Sequence, residues 1–248
     1  LAYQEVNYAE KWRVIMKRLY FTKLILVFFL LACNENKQEN RNFEVAIEKI
    51  KKENLDQISR PKENLPYLAH KNLDSVWEEE NPDIIKIPSF SLQNQAGQKV
   101  GQEKLKGKIT ISCFFYTKCS GICPRVMQNM KRIKAEFEND REIYFLSFSV
   151  TPDIDTAEVL KKYIQFTGFG KVNWDLVTGD KTEIYKLARN TFYADTNTGE
   201  TKSKDDFIHS EQLYLIDSNL KLRAIYNGNI NGDIERIIKD IRKLKKLG

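Results

Sequence analysis

An α/β fold, a central mixed sheet flanked by helices, is what the sequence predicts for residues 65–248, and three observations carry it. Apolar runs of strand length, "KITISCFFY", "EIYFLSFSV" and "VNWDLVTG", alternate with segments whose apolar residues recur at helical spacing. A pattern that doubles back, "EQLYLIDSNLKLRAIYNG", reads as a hairpin turning at Asp217 to Asn219, which makes the sheet mixed because hairpin strands are antiparallel. An amphipathic stretch from Ile230 to Leu247 closes the chain as a helix.

Taken in order, "IIKIPSFSLQNQAGQKV" reads as two short strands joined by a turn around Asn94 to Gly97. "KITISCFFY" is a strand buried on both faces, and a helix follows Pro124, since proline is tolerated at the first helical position. Val126, Met130, Ile133 and Phe137 fall on one face of that helix. After the second buried strand, "TPDIDTAEVLKKYIQFTG" has Asp155 or Thr156 as N-cap and a stop near Gly168. A third strand, "VNWDLVTG", and a third helix, Asp180 to Asn190, lead to the hairpin. A leading segment with "LPYLAHKNLDSVW" precedes all of these. This is the order of elements in a thioredoxin-like fold.

The chain has 248 residues, 42% of them hydrophobic, enough for one sizeable domain and an extra segment. Its 40 basic and 34 acidic residues leave a formal charge of +6, a modest excess that is densest in the terminal "IRKLKKLG". There is no basic stripe interleaved with aromatics, so nucleic-acid binding is not expected.

The front of the chain points to export. Met16 to Lys23 is basic, "LILVFFLLA" from Leu24 is apolar, and Cys33 is followed by polar "NENKQENRN". Such an apolar run is too short for a membrane span, which takes about 20 residues, and fits a signal-peptide core. "LLAC" resembles the lipobox of bacterial lipoproteins, whose cysteine is lipidated. We therefore expect an upstream segment and signal peptide over 1–32, with the start at Met16, a lipid-anchored tether over 33–64, and a folded domain over 65–248. The expected location is the bacterial cell envelope, with the domain on the periplasmic side.

Export permits disulfides, so the four cysteines need sorting. Cys33, if acylated, cannot pair, and Cys113 lies inside a strand, where cysteine behaves as a small buried hydrophobe. Cys119 and Cys123 remain, in "FFYTKCSGICP", at the handover from strand to helix. A helix N-terminus favours thiolate, the form that attacks disulfides and the form that binds metals. Structural staple, redox pair and metal site all stay open on placement alone. Redox pairs in this fold are typically C-x-x-C, and here one more residue intervenes. Oxidoreductases of this fold also carry a cis-proline facing the cysteines; this chain has no proline after Pro152 and has "FIHSEQ", with His209, at the matching place. Two sulfurs and an imidazole suit Cu(I) and can adapt to Cu(II). Asp153 and Asp155 read as a turn and a cap rather than a catalytic pair, His70 reads as exposed, and Trp77 and Trp174 read as packing residues.

"FFYTKCSGICPRVMQNM", "FSVTPDIDT", "YIQFTG" and "IHSEQLYLID" together resemble the Sco/SenC family of copper-binding proteins, which assist assembly of the binuclear copper centre of cytochrome c oxidase. The similarity runs from about Leu65 to the last helix. Ser120 stands where many members have proline, and Ile208 where several have aspartate. The resemblance implies that Cys119, Cys123 and His209 bind one copper ion, Cu(I) or Cu(II). It also implies a partner: the copper-centre subunit of the oxidase, or another copper acceptor. The expected activity is that of a copper carrier rather than an enzyme. The alternative is a membrane-tethered thiol:disulfide oxidoreductase in which Cys119 attacks and Cys123 resolves.

Overall fold

The computed structural model describes residues 64–70, 72–169, 173–194 and 210–247. Cys33 and His209, the expected signal segment and nearly all of the expected tether lie outside the described residues. Nine strands are found there: β1 (Tyr67–Leu68), β2 (Ser75–Val76), β3 (Ser91–Asn94), β4 (Lys99–Gly101), β5 (Ile109–Phe115), β6 (Ile143–Ser149), β7 (Trp174–Thr178), β8 (Gln212–Ile216) and β9 (Leu222–Asn227). The helices are α1 (Cys123–Ala135), α2 (Ala157–Thr167), α3 (Lys181–Asn190) and α4 (Asn231–Leu247).

Strands β3 to β9 form one seven-stranded sheet in the order β4-β3-β7-β6-β5-β8-β9, and β1 and β2 make a separate antiparallel ribbon. β5, β6 and β7 are parallel, while β8 pairs antiparallel with β5 and β9 antiparallel with β8. The mixed sheet and the thioredoxin-like fold are as the sequence predicts.

All seven residues of β5 are buried because both faces of the sheet are covered. Ile109, Ile111, Cys113 and Phe115 point to the layer built from α1, α2 and α4. Phe114, between them in register, points to the layer of α3 and the leading segment, where it stacks on Phe148 at 5.1 Å between ring centroids. Cys113 is fully buried, as expected, with its Sγ 3.4 Å from the Ser147 hydroxyl, and burial pushes its thiol up to about 12.

Helix boundaries follow their capping chemistry. Thr156 caps α2, its hydroxyl accepting the Val159 N–H, and Gly168 ends it in the left-handed region at φ 69°. Asp180 caps α3 by accepting the Glu183 N–H at 2.7 Å. Two expectations change. Helix α1 ends at Ala135, so Phe137 packs on the core from the following turn and not from the helix. Asp155 is no cap: its side chain is buried and turned to another loop.

Candidate metal centre

Strand β5, inside the sheet between β6 and β8, delivers the cysteine loop at its C-terminal end, and α1 carries the chain away. Cys123 is the first residue of α1, and Pro124 follows it at the helix start, where a missing N–H costs nothing. Cys119, one turn earlier, accepts the Cys123 backbone N–H on its Sγ at 3.5 Å. The two residues are thus joined at the positive end of α1, and both are free thiols.

Their surroundings differ. Burial raises the Cys119 thiol, but hydrogen bonds from the Cys123 N–H, the Cys123 thiol, the Gly121 N–H and the Tyr116 hydroxyl bring it below its ordinary value of 9.0. At Cys123, burial and the hydrogen bond its thiol donates to Cys119 push it up to about 12, against a pull from the Tyr116 backbone N–H. Cys123 is 7% exposed, while Cys119 is half-buried at the surface of a cavity of about 770 Å³.

That cavity is lined by Tyr116, Cys119 and Ile122 from the β5–α1 loop, by Ala194 beyond α3, by Ser210 and Gln212 at the head of β8, and by Tyr226 and Asn227 from β9. The antiparallel register of β5 with β8 sets Ser112 against Tyr214, and beyond that pair Tyr116 and Ser210 line the same cavity. The head of β8 is held in place: the Gln212 N–H donates to the Ser210 hydroxyl at 3.2 Å, and the buried Tyr214 hydroxyl donates to Gln212 Oε1 at 2.6 Å. His209 itself lies outside the described residues, so the three expected ligands are represented by Cys119 and Cys123. Among the described residues, no cluster of three or more His, Cys, Asp or Glu side chains is found.

Other candidates have structural explanations. His70 is exposed, as expected, with its Nδ1 2.9 Å from the Tyr193 hydroxyl. Asp153 is exposed in a turn. Trp174 is buried and donates from its indole to the Ser147 hydroxyl at 3.0 Å. Sequence reasoning overlooked Tyr116, whose hydroxyl bonds Cys119; its position at the end of the strand leading into the cysteines was the available signal. Among the described residues no helix is long and apolar enough to cross a membrane.

The chain matches the SCO1/SenC family over residues 78–246. It is 33% identical over 172 residues to a SCO1 protein homolog of Bacillus subtilis (strain 168), covering 67% of this chain and 86% of that protein. The crystal structure of a SCO1/SenC family lipoprotein from Bacillus anthracis str. Ames superposes with a TM-score of 0.58 at 32% identity, covering 67% of this chain and 98% of that one. Arabidopsis thaliana ScoI, crystallised with copper bound, superposes with a TM-score of 0.51 at 25% identity, covering 64% of this chain and 99% of that one. The family match over most of the folded domain, together with these relatives, shows that the chain belongs to the SCO1/SenC family.

Proposed function

We propose that this chain carries a copper ion on Cys119, Cys123 and His209 and delivers it to, or keeps reduced the thiols of, the binuclear copper site of a cytochrome c oxidase subunit. Sco proteins form a family of cytochrome c oxidase assembly proteins, and copper is bound in the Arabidopsis relative. The observation that carries the reading is the cavity at Cys119, which is also lined by Ser210, the residue next to His209. The donor set fits copper: thiolates are soft ligands suited to Cu(I), and a neutral imidazole serves either oxidation state. Copper is cargo here, and a three-coordinate site lets an incoming partner exchange ligands one at a time. A lipid anchor at Cys33 would hold the domain at the outer side of the bacterial membrane, and the B. anthracis relative is a lipoprotein. Residues 33–64 would then be the tether and 65–248 the folded domain.

The asymmetry of the two thiols favours a second reading, thiol:disulfide exchange. Cys119 thiolate attacks a partner disulfide, releasing one partner thiolate and forming a mixed disulfide. Cys123 then attacks Cys119, releasing the second partner thiolate and leaving a Cys119–Cys123 disulfide. Elemental analysis of the purified, reduced protein, wild type against His209→Ala, separates the readings. The carrier reading expects near-stoichiometric copper in the wild type, strong loss of copper in His209→Ala, and dithiol exchange largely unchanged. Zinc in place of copper, or copper retention indifferent to His209, would leave exchange as the function.

A further inference from the structure

Asp155 lies between β6 and α2 and is fully buried, at 0% exposure. Its carboxylate accepts four hydrogen bonds: from the Ser149 hydroxyl at 2.6 Å, the Thr151 hydroxyl at 3.0 Å, the Thr117 backbone N–H at 3.1 Å and the Thr117 hydroxyl at 2.5 Å. A buried carboxylate is costly to leave unbonded, and an ionised one accepts without donating, so four converging donors suit it. Helix α2 does not need it, because Thr156 supplies the cap. Two of the four donors belong to β6 and the turn after it, and two belong to Thr117, on a different loop.

Thr117 is two residues before Cys119. The Cys119 N–H donates to the Tyr116 carbonyl at 3.4 Å, and Cys119 Sγ receives the Cys123 N–H at 3.5 Å. Farther along, Ser120 and Gly121 are exposed, and a Cβ on Gly121 would meet nothing within 4 Å. The tip of the loop is not pressed against the rest of the protein, so its base must be held from one side. Thr117 is where Asp155 takes hold of it.

We propose that Asp155 is a positioning residue for the cysteine pair: by bonding Thr117 it fixes the base of the loop to the end of β6 and keeps Cys119 within reach of Cys123. This inference rests on the reading of these two cysteines as the working pair. It concerns the metal-free protein, so it can be tested without copper.

The test equilibrates the metal-free full chain with reduced and oxidised glutathione. Oxidation moves two electrons and two protons from the two thiols to glutathione disulfide, giving two glutathione molecules and one Cys119–Cys123 disulfide. Alkylation followed by peptide mapping reads the oxidised fraction, and the equilibrium constant is the effective concentration of one thiol at the other. Asp155→Asn should lower it roughly tenfold, as expected when reacting groups lose their mutual placement. Thr117→Val, which keeps shape and removes the hydroxyl, should lower it by less, and Thr117→Ser should restore it. Ser149→Ala removes one of the two strand-side donors and leaves Thr151; it should lower the melting temperature and move the thiol equilibrium by less than Thr117→Val does. If Asp155→Asn fails to fold, the Thr117 pair and Ser149→Ala decide. An unchanged equilibrium in Thr117→Val, or a shift in Ser149→Ala as large as in Thr117→Val, overturns the proposal. Failure of the copper reading would show separately, as missing copper in a protein whose thiol equilibrium still depends on Asp155.

Discussion

At the cysteine pair, four residues along the chain separate a thiol that gathers hydrogen bonds from one that is walled in. Cys119 receives donors from Cys123, Gly121 and Tyr116 that outweigh its partial burial and set it below 9.0, whereas burial and its own hydrogen bond to Cys119 raise Cys123 to about 12. Thiolate is the reactive form, so at pH 7 the thiolate fraction is much larger at Cys119. Metal-free, reduced protein treated with iodoacetamide at pH 7 should be modified at Cys119 at least about tenfold faster than at Cys123. The sign of the pH effect follows from the same shifts. The rate at Cys119 should rise with pH through a midpoint below 9.0, while that at Cys123 should keep climbing toward about 12. Mass spectrometry of quenched time points reads both rates together. Equal rates at pH 7 would mean that the loop does not distinguish its two sulfurs.

Among the elements, helix α3 shows how much rests on one cap. Asp180 accepts the Glu183 N–H at 2.7 Å, and the Glu183 carboxylate then accepts the Ser91 N–H at 2.9 Å, so the start of α3 is tied to the start of β3. Asp180→Ala should cost about 1 kcal/mol in chemical denaturation, with the thiol equilibrium untouched. The sequence began this helix at Asp180 without reading it as a cap, whereas Thr156, one of two cap candidates, and Gly168 at the two ends of α2 were legible because their partners are local. Strands β5, β6 and β7 were legible because burial on both faces requires continuous apolar runs. The ribbon β1–β2 was not, since strands of two residues are too short to show a period. Asp155 was misread for a related reason: three of its four donors are hydroxyls from Thr117, Ser149 and Thr151, and an aspartate before Thr156 looks the same whether it caps a helix or turns inward. The cysteine half of the site could be read from spacing and position, but the difference between its two thiols depends on Tyr116 and on burial, which sequence alone does not show.

For the molecule as a whole, the leading segment must be fastened to the sheet, and Arg223 does this near the turn end of the β8–β9 hairpin. Its side chain, nearly inaccessible, pairs with Asp217 at 3.0 Å and donates to the Pro66 carbonyl at 2.9 Å, to Asn64 Oδ1 at 2.9 Å and to the Leu65 carbonyl. Its guanidinium also lies 4.0 Å from the centre of the Tyr67 ring. Asp217 in turn shapes the hairpin, its Oδ1 accepting the Asn219 and Lys221 N–H groups. Removing one member of a buried ion pair leaves the other charge without a partner, at a cost of about 3–5 kcal/mol. Arg223→Leu should therefore destabilise the protein by about that amount in a denaturant melt. Adding Asp217→Asn should recover part of the loss, because it removes the orphaned charge and keeps an oxygen for the turn. The cavity that holds Cys119 takes Asn227 from the other end of β9, roughly 13 Å along the strand at its usual rise per residue. Both variants should keep the wild-type thiol equilibrium under conditions where they are folded. If instead that equilibrium moved while the melt did not, the hairpin would be transmitting the state of the leading segment to the cysteines, and Arg223 would be a link between them rather than a clasp.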